Sequence, residues 1–248
     1  MRKYIIKYFY RRVPAHLDAE YDLILQIHSH YYRRLDPGLQ RRFRLRLYQL
    51  LNTLSFAAPK GGIVSREARA VIGSAIIQIT FGLSSYLPIK FTNIVVMPQR
   101  YMYPGYGEPF LGHIDYPSST LYFSWADVKE GYRIPHDAVN VALHEMAHVL
   151  ESEDRFRYLF DNFFRRISWG EWARLAFQKM HIIRAGENRF LKDYGGINMT
   201  EMFAVCIEAF FEQPDSFCEN LPEIYGTMVD LLGQDPMREG NPMAPLPF

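Results

Sequence analysis

The sequence predicts an α+β fold, mostly helical, with one small β-sheet beside a helix that carries two histidines and a glutamate. Three observations lead there. Apolar residues recur at helical spacing up to about residue 82 and again from about 137 to 232. Between about 91 and 125 the signals change to strand and turn. The composition, 48% hydrophobic and 22% charged over 248 residues, is that of an ordinary globular chain with enough length for a sizeable core. A single domain over 1–239 is expected, followed by a tail, 240–248, that holds three prolines and is read as extended or disordered.

The stretch from Asp18 to Thr53 reads as helical, most clearly where Leu39, Phe43, Leu47, Leu50, Leu51 and Leu54 fall on one face. Arg41, Arg42, Arg44 and Arg46 lie between them, mostly on the other face, and are read as a solvated face. Pro59-Lys60-Gly61-Gly62 breaks the chain. A helix from Ser65 to Phe81, ended by Gly82, is apolar nearly all round and should be buried. Ile94-Val95-Val96, closed by Pro98, and Thr120 to Trp125 are the predicted strands. The connection between them is rich in Pro and Gly (Pro104, Gly105, Gly107, Pro109, Gly112). After Pro135 the chain returns to helices.

Composition also excludes. A formal net charge of +1 argues against a general nucleic-acid binder. The two cysteines, Cys206 and Cys218, make no disulfide framework, and Cys206 reads as a small core residue. No run of about eighteen apolar residues predicts a membrane span, and Met1 to Tyr10 is too short and tyrosine-rich for a signal peptide, so a cytoplasmic location is expected.

The informative segment runs from Asp137, a candidate cap, through His144-Glu145-Met146-Ala147-His148 to Glu151. Four residues are just over one helical turn, so His144 and His148 project from one face and can share one zinc ion. Glu145 stands about 100° round the helix. It can accept a proton from a water whose pKa the metal lowers, without being a ligand itself. In so apolar a helix, two histidines and a glutamate would be costly without partners.

A catalytic zinc needs a third protein ligand. Asn198 to Phe211 reads as a helix stopped by Pro214, and it carries Glu201 and Glu208 on one face. By spacing alone Glu201 can instead simply close a capping box with Asn198. Glu208 can be either a ligand or a group that holds a ligand histidine from behind.

The order of these motifs resembles the Mlc titration factor A family, the glucose-regulated zinc metallopeptidases, whose catalytic core in turn resembles that of anthrax lethal factor. The likeness rests on Asn140 to Leu150, Asp193-Tyr194, Thr200 to Val205 and Glu208 to Pro214, and covers about Ile24 to Asp235. It implies a zincin-like domain with one Zn2+ held by His144, His148 and Glu201. It implies Glu145 as general base and Tyr194 as hydroxyl donor to the substrate carbonyl, leaving Glu208 as the candidate group behind a ligand. It also implies aminopeptidase-type activity on a peptide or protein substrate, and a sugar-regulated transcriptional repressor as partner. His28, His30, His113 and His136 match no role in the family. The first expectation is therefore a zinc-dependent peptidase. The alternative is a repressor-binding protein with a structural or vestigial zinc site, against which Glu145 speaks, since a structural site needs no base.

Overall fold

A computed structural model describes residues 10–105, 107–156, 162–187 and 190–243 of the chain. Helices α1 (Ala15–His28), α2 (His30–Arg33) and α3 (Pro37–Leu51) occupy the stretch predicted as helical, broken at Ser29 and before Pro37. Ser29 Oγ caps α2 by accepting from the Tyr32 N–H, and Pro37, which has no N–H to leave unpaired, opens α3. The arginine run departs from the expectation of a solvated face. Arg41 and Arg42 are exposed, but Arg44 and Arg46 are each only 8% exposed. Arg44 pairs with Asp18 at 2.6 Å and Asp22 at 2.9 Å, tying α3 to α1. Arg46 donates to the carbonyls of Thr80, Phe81 and Leu83 at 2.9–3.0 Å, where the next long helix ends. Both cations are buried because carboxylates or helix-terminal carbonyls meet them.

Strand β1 (Ser55–Ala57) follows, outside the region whose pattern predicts strands; three residues between helix and turn carry too little pattern. Helix α4 (Arg66–Ile79) is capped by Ser65, whose Oγ accepts from the Ala68 N–H at 3.1 Å, and it is buried on nearly every side. Strands β2 (Asn93–Met97), β3 (Gly112–Asp115) and β4 (Thr120–Ser124) complete a four-stranded sheet of order β1-β2-β4-β3. β1, β2 and β4 run parallel, and β3 is antiparallel to β4 at the sheet edge. β3 lies in the Pro- and Gly-rich connection, so composition hid it. Trp125 does not end a strand but starts helix α5 (Trp125–Arg133), capped by Ser124.

The motif helix α6 spans Val141–Phe156. Its cap is Asn140, whose Oδ1 accepts from the Ala142 and Leu143 N–H groups at 3.2 Å; the expected cap, Asp137, accepts only from Val139 in the preceding turn. Further along α6 the fully buried Glu153 accepts from the N–H groups of Ile89, Lys90 and Phe91, fixing the approach to β2. Helices α7 (Arg166–Arg184), α8 (Met199–Glu212), α9 (Pro214–Asn220) and α10 (Pro222–Leu232) follow. One apolar core runs through all of this, with Phe43, Phe81, Phe123, Trp172, Phe203 and Phe210 fully buried within it. Cys206 lies in that core.

Of the predicted tail, Gly240–Met243 is bonded to the rest of the fold: the Asp36 N–H donates to the Gly240 carbonyl at 2.8 Å, and Met243 bridges Gln234. Residues 244–248, and the stretch before Tyr10 weighed as a leader, lie outside the described residues.

Candidate metal centre

Helix α8 packs along α6, and its first turn meets the histidine face. Asn198 Oδ1 caps α8 by accepting from the Glu201 N–H at 2.9 Å. The Glu201 carboxylate does not fold back on that cap. It reaches across to α6, with Oε2 3.2 Å from His144 Nε2 and Oε1 3.5 Å from His148 Nε2. The two imidazole Nε2 atoms face each other at 3.1 Å, with ring planes at 89°.

These separations test whether the residues suit a metal ion. Bonds of about 2.0–2.1 Å in tetrahedral directions put neighbouring ligand atoms about 3.3 Å apart. The two Nε2 atoms are 3.1 Å apart, and each has one oxygen of the Glu201 carboxylate close to that distance, Oε2 at 3.2 Å from His144 and Oε1 at 3.5 Å from His148. Two imidazole nitrogens and a carboxylate are also a donor set that zinc accepts. Among the described residues, His144, His148 and Glu201 are the group of metal-ligating side chains that converges in this way.

Glu208, two turns further along α8, lies behind His144. Its Oε2 is 3.2 Å from His144 Nδ1, and its Oε1 accepts from the Asn140 N–H at 2.7 Å. Lys192 Nζ donates to the same Oε2 at 3.2 Å. The carboxylate therefore touches a histidine, the start of α6 and the chain just before Tyr194. His148 has no such support: its Nδ1 is buried without a hydrogen-bond partner among the described residues.

Charge in the cluster is finely divided. Burial disfavours a charged His144, but Glu201 and Glu208 outweigh it and lift the imidazole to about 10. Burial and the His144 cation push His148 down to about 4. The hydrogen bond to His144 holds Glu201 below the usual carboxylate range, against the effect of burial. Burial raises Glu145 to about 7, opposed by His144 and reinforced by Glu201. The acidic neighbours thus favour a positive charge at His144, beside the place where a cation would be shared.

Tyr194 stands in a 3-10 turn, Asp193–Gly196, 62% exposed on the wall of the same cleft. It does not join the His144–His148–Glu201 group. The turn is not loose: Arg184 donates from Nε to the Gly196 carbonyl and from Nη2 to the Ile197 carbonyl. The cleft, of about 1280 Å³, is bounded by β3 and the loop before it on one side and by Tyr194 to Glu201 on the other. The remaining histidines stay out of it or on its wall. His28 bonds Glu67, His30 packs edge-on to His136, and His113 stacks on Tyr122 beneath the Tyr101 hydroxyl. Sequence reasoning missed Asn140 and Lys192. Asn140 was legible as a capping residue just before the apolar run, whereas nothing in the spacing of Lys192 points to Glu208.

Comparison with known proteins is consistent in kind. A family model described as glucose-regulated metallo-peptidase M90 matches residues 9–231. An uncharacterized protein of Synechocystis sp. is 23% identical over 233 residues, 88% of this chain and 83% of its own length. No helix among the described residues is long and apolar enough to cross a membrane.

Proposed function

The chain belongs to the glucose-regulated metallopeptidase family M90, and we propose from that premise that it is a zinc peptidase whose ligands are His144, His148 and Glu201. The observation that carries this reading is the convergence of those three side chains on one point of the cleft, with the buried Glu145 next to His144. Zinc bound there would act as a Lewis acid on a carbonyl oxygen and would bring the pKa of a water toward 7.

The chain's own residues supply the rest. Glu145, one residue from a ligand and buried at the cleft, is placed to accept the attacking water's proton and pass it to the leaving amine. Tyr194 is the donor to the carbonyl oxygen as negative charge develops there. Glu208 holds His144 by Nδ1, which leaves Nε2 as the nitrogen that would bind the ion in place of its proton.

The substrate is a peptide in extended form. Along β3 the Leu111–Ser124 pair is hydrogen-bonded, since the Ser124 N–H donates to the Leu111 carbonyl at 2.7 Å. Alternation then turns the backbone groups of Gly112 and Ile114 away from β4 toward the open edge, where both residues line the cleft. An extended peptide can pair there beside Glu145. Aminopeptidase-type cleavage is the finer proposal, carried by the family likeness alone. A cytoplasmic location is supported by two unpaired cysteines. A repressor-binding protein with a vestigial centre would not need a base buried beside the ligands.

The test is hydrolysis of a mixed peptide library by chelated protein, before and after zinc is restored. Cleavage that returns with zinc is expected, and release of single N-terminal residues from unblocked peptides but not from N-acetylated ones would mark aminopeptidase action. Zinc-loaded wild-type protein that cleaves nothing in the library would defeat the reading.

A further inference from the structure

Gly112 is the point where the sheet edge meets the motif helix. A Cβ at this position would lie 2.8 Å from Val141 Cγ2, 2.9 Å from Glu145 Cγ and 3.2 Å from Glu145 Oε1. Carbon atoms in good contact sit about 3.5–4.0 Å apart, so the first two approaches are overlaps. Val141 is the neighbour that yields least, and the Glu145 side chain, which lines the cleft, is the one that would give way. Val141 is β-branched and holds one strongly preferred rotamer in a helix. The glycine is not there for its backbone, because Gly112 lies in a strand and is not among the glycines with positive φ. Space is the reason.

Resting on the zinc-peptidase reading, we propose that Gly112 is a positioning residue for the general base. Its missing side chain lets β3 pass in contact with Glu145, and that contact sets where the carboxylate stands relative to His144, His148 and Glu201. Adding one methyl group would press on the Glu145 side chain between its Cγ and its Oε1. The carboxylate would then tilt from the position where it meets the attacking water. Glycine at 112 also keeps the strip between the free edge of β3 and Glu145 open, where the scissile peptide would lie. Misplacing a catalytic group by about 1 Å can cost about 10²-fold in rate.

The experiment is Gly112→Ala, read in two independent ways. In the zinc-loaded variant, kcat on a peptide that wild type cleaves should fall by about 10²-fold, while zinc affinity by chelator competition and KM stay within about threefold. Adding Val141→Ala opens space on one side, and the double variant should recover part of the lost kcat; it also serves as the test molecule if the single variant does not fold. A crystal structure of the metal-free variant should show the Glu145 carboxylate displaced from its wild-type place. A wild-type kcat in Gly112→Ala, or Glu145 unmoved with β3 displaced instead, would overturn the proposal. Should wild type itself neither hold zinc nor cleave peptides, the zinc-peptidase reading falls, and the crystallographic position of Glu145 still decides for or against Gly112.

Discussion

Glu208 Oε2 sits 3.2 Å from His144 Nδ1, on the side of the ring away from Glu201 and His148. One carboxylate of α8 therefore faces each nitrogen of one imidazole, and the ring cannot turn without losing both. Because Lys192 donates to the same oxygen, Glu208 is held as an acceptor. Glu208→Gln should weaken zinc binding by about 10–100-fold, and Lys192→Met should weaken it less but in the same direction. Competition with a chelator of known affinity measures this. Unchanged affinity in Glu208→Gln would remove the carboxylate from the centre's support.

Metal binding and chemistry should separate at Glu145. Glu145→Gln keeps the side chain's shape but cannot take a proton from water, so zinc content should remain near one per chain while hydrolysis falls by at least about 10²–10⁴-fold. Metal analysis and single-turnover cleavage of the same preparation provide both numbers. A Gln variant that cleaves as fast as wild type would assign the base elsewhere.

Tyr194 is 62% exposed and outside the ligand group, on a turn that Arg184 holds in place. On the proposed reading, a hydroxyl so placed would act only when substrate brings the carbonyl oxygen to it. Tyr194→Phe should leave zinc content, folding and KM nearly unchanged and lower kcat by about 10²–10³-fold. A Phe variant with unaltered kcat would make Tyr194 an ordinary surface aromatic.

Glu212 gives the metal-free protein a pH signature of its own. Burial raises its carboxyl to about 8, a rise opposed by the hydrogen bond from Asn140 and reinforced by Glu208. The folded state thus keeps a proton that the unfolded chain releases above its ordinary value of about 4.5. The sign follows: this contribution to stability is fully present below about 4.5, is lost progressively as pH rises to about 8, and changes no further above that. Glu212→Gln removes the loss, so its melting temperature should match wild type near pH 5 and exceed it near pH 8. A melting-temperature difference that does not change with pH would contradict the buried, protonated acid.

The helices around the site were legible because their signals are local. The apolar period of α4, the i, i+4 histidines of α6 and the caps Ser65 and Asn198 depend on residues within a turn or two of each other. So does the fact that Glu201 and Glu208 share a face of α8. The sequence alone left open which of the two meets the histidine Nε2 atoms, because a helix period sets direction but not the distance to another helix. Packing of α8 on α6 decided it, bringing Glu201 to the Nε2 side and Glu208 to the Nδ1 side of His144. The same holds for the features that were missed. β3, hidden in a Pro- and Gly-rich stretch, is a strand because β4 offers it a ladder. Lys192 finds Glu208 across sixteen residues. Arg44 and Arg46, polar by composition, are buried because partners from α1 and the end of α4 arrive to meet them. Hydrogen bonds and ion pairs are short-ranged, and the groups that make them here are distant in sequence, so only the folded chain brings them within reach.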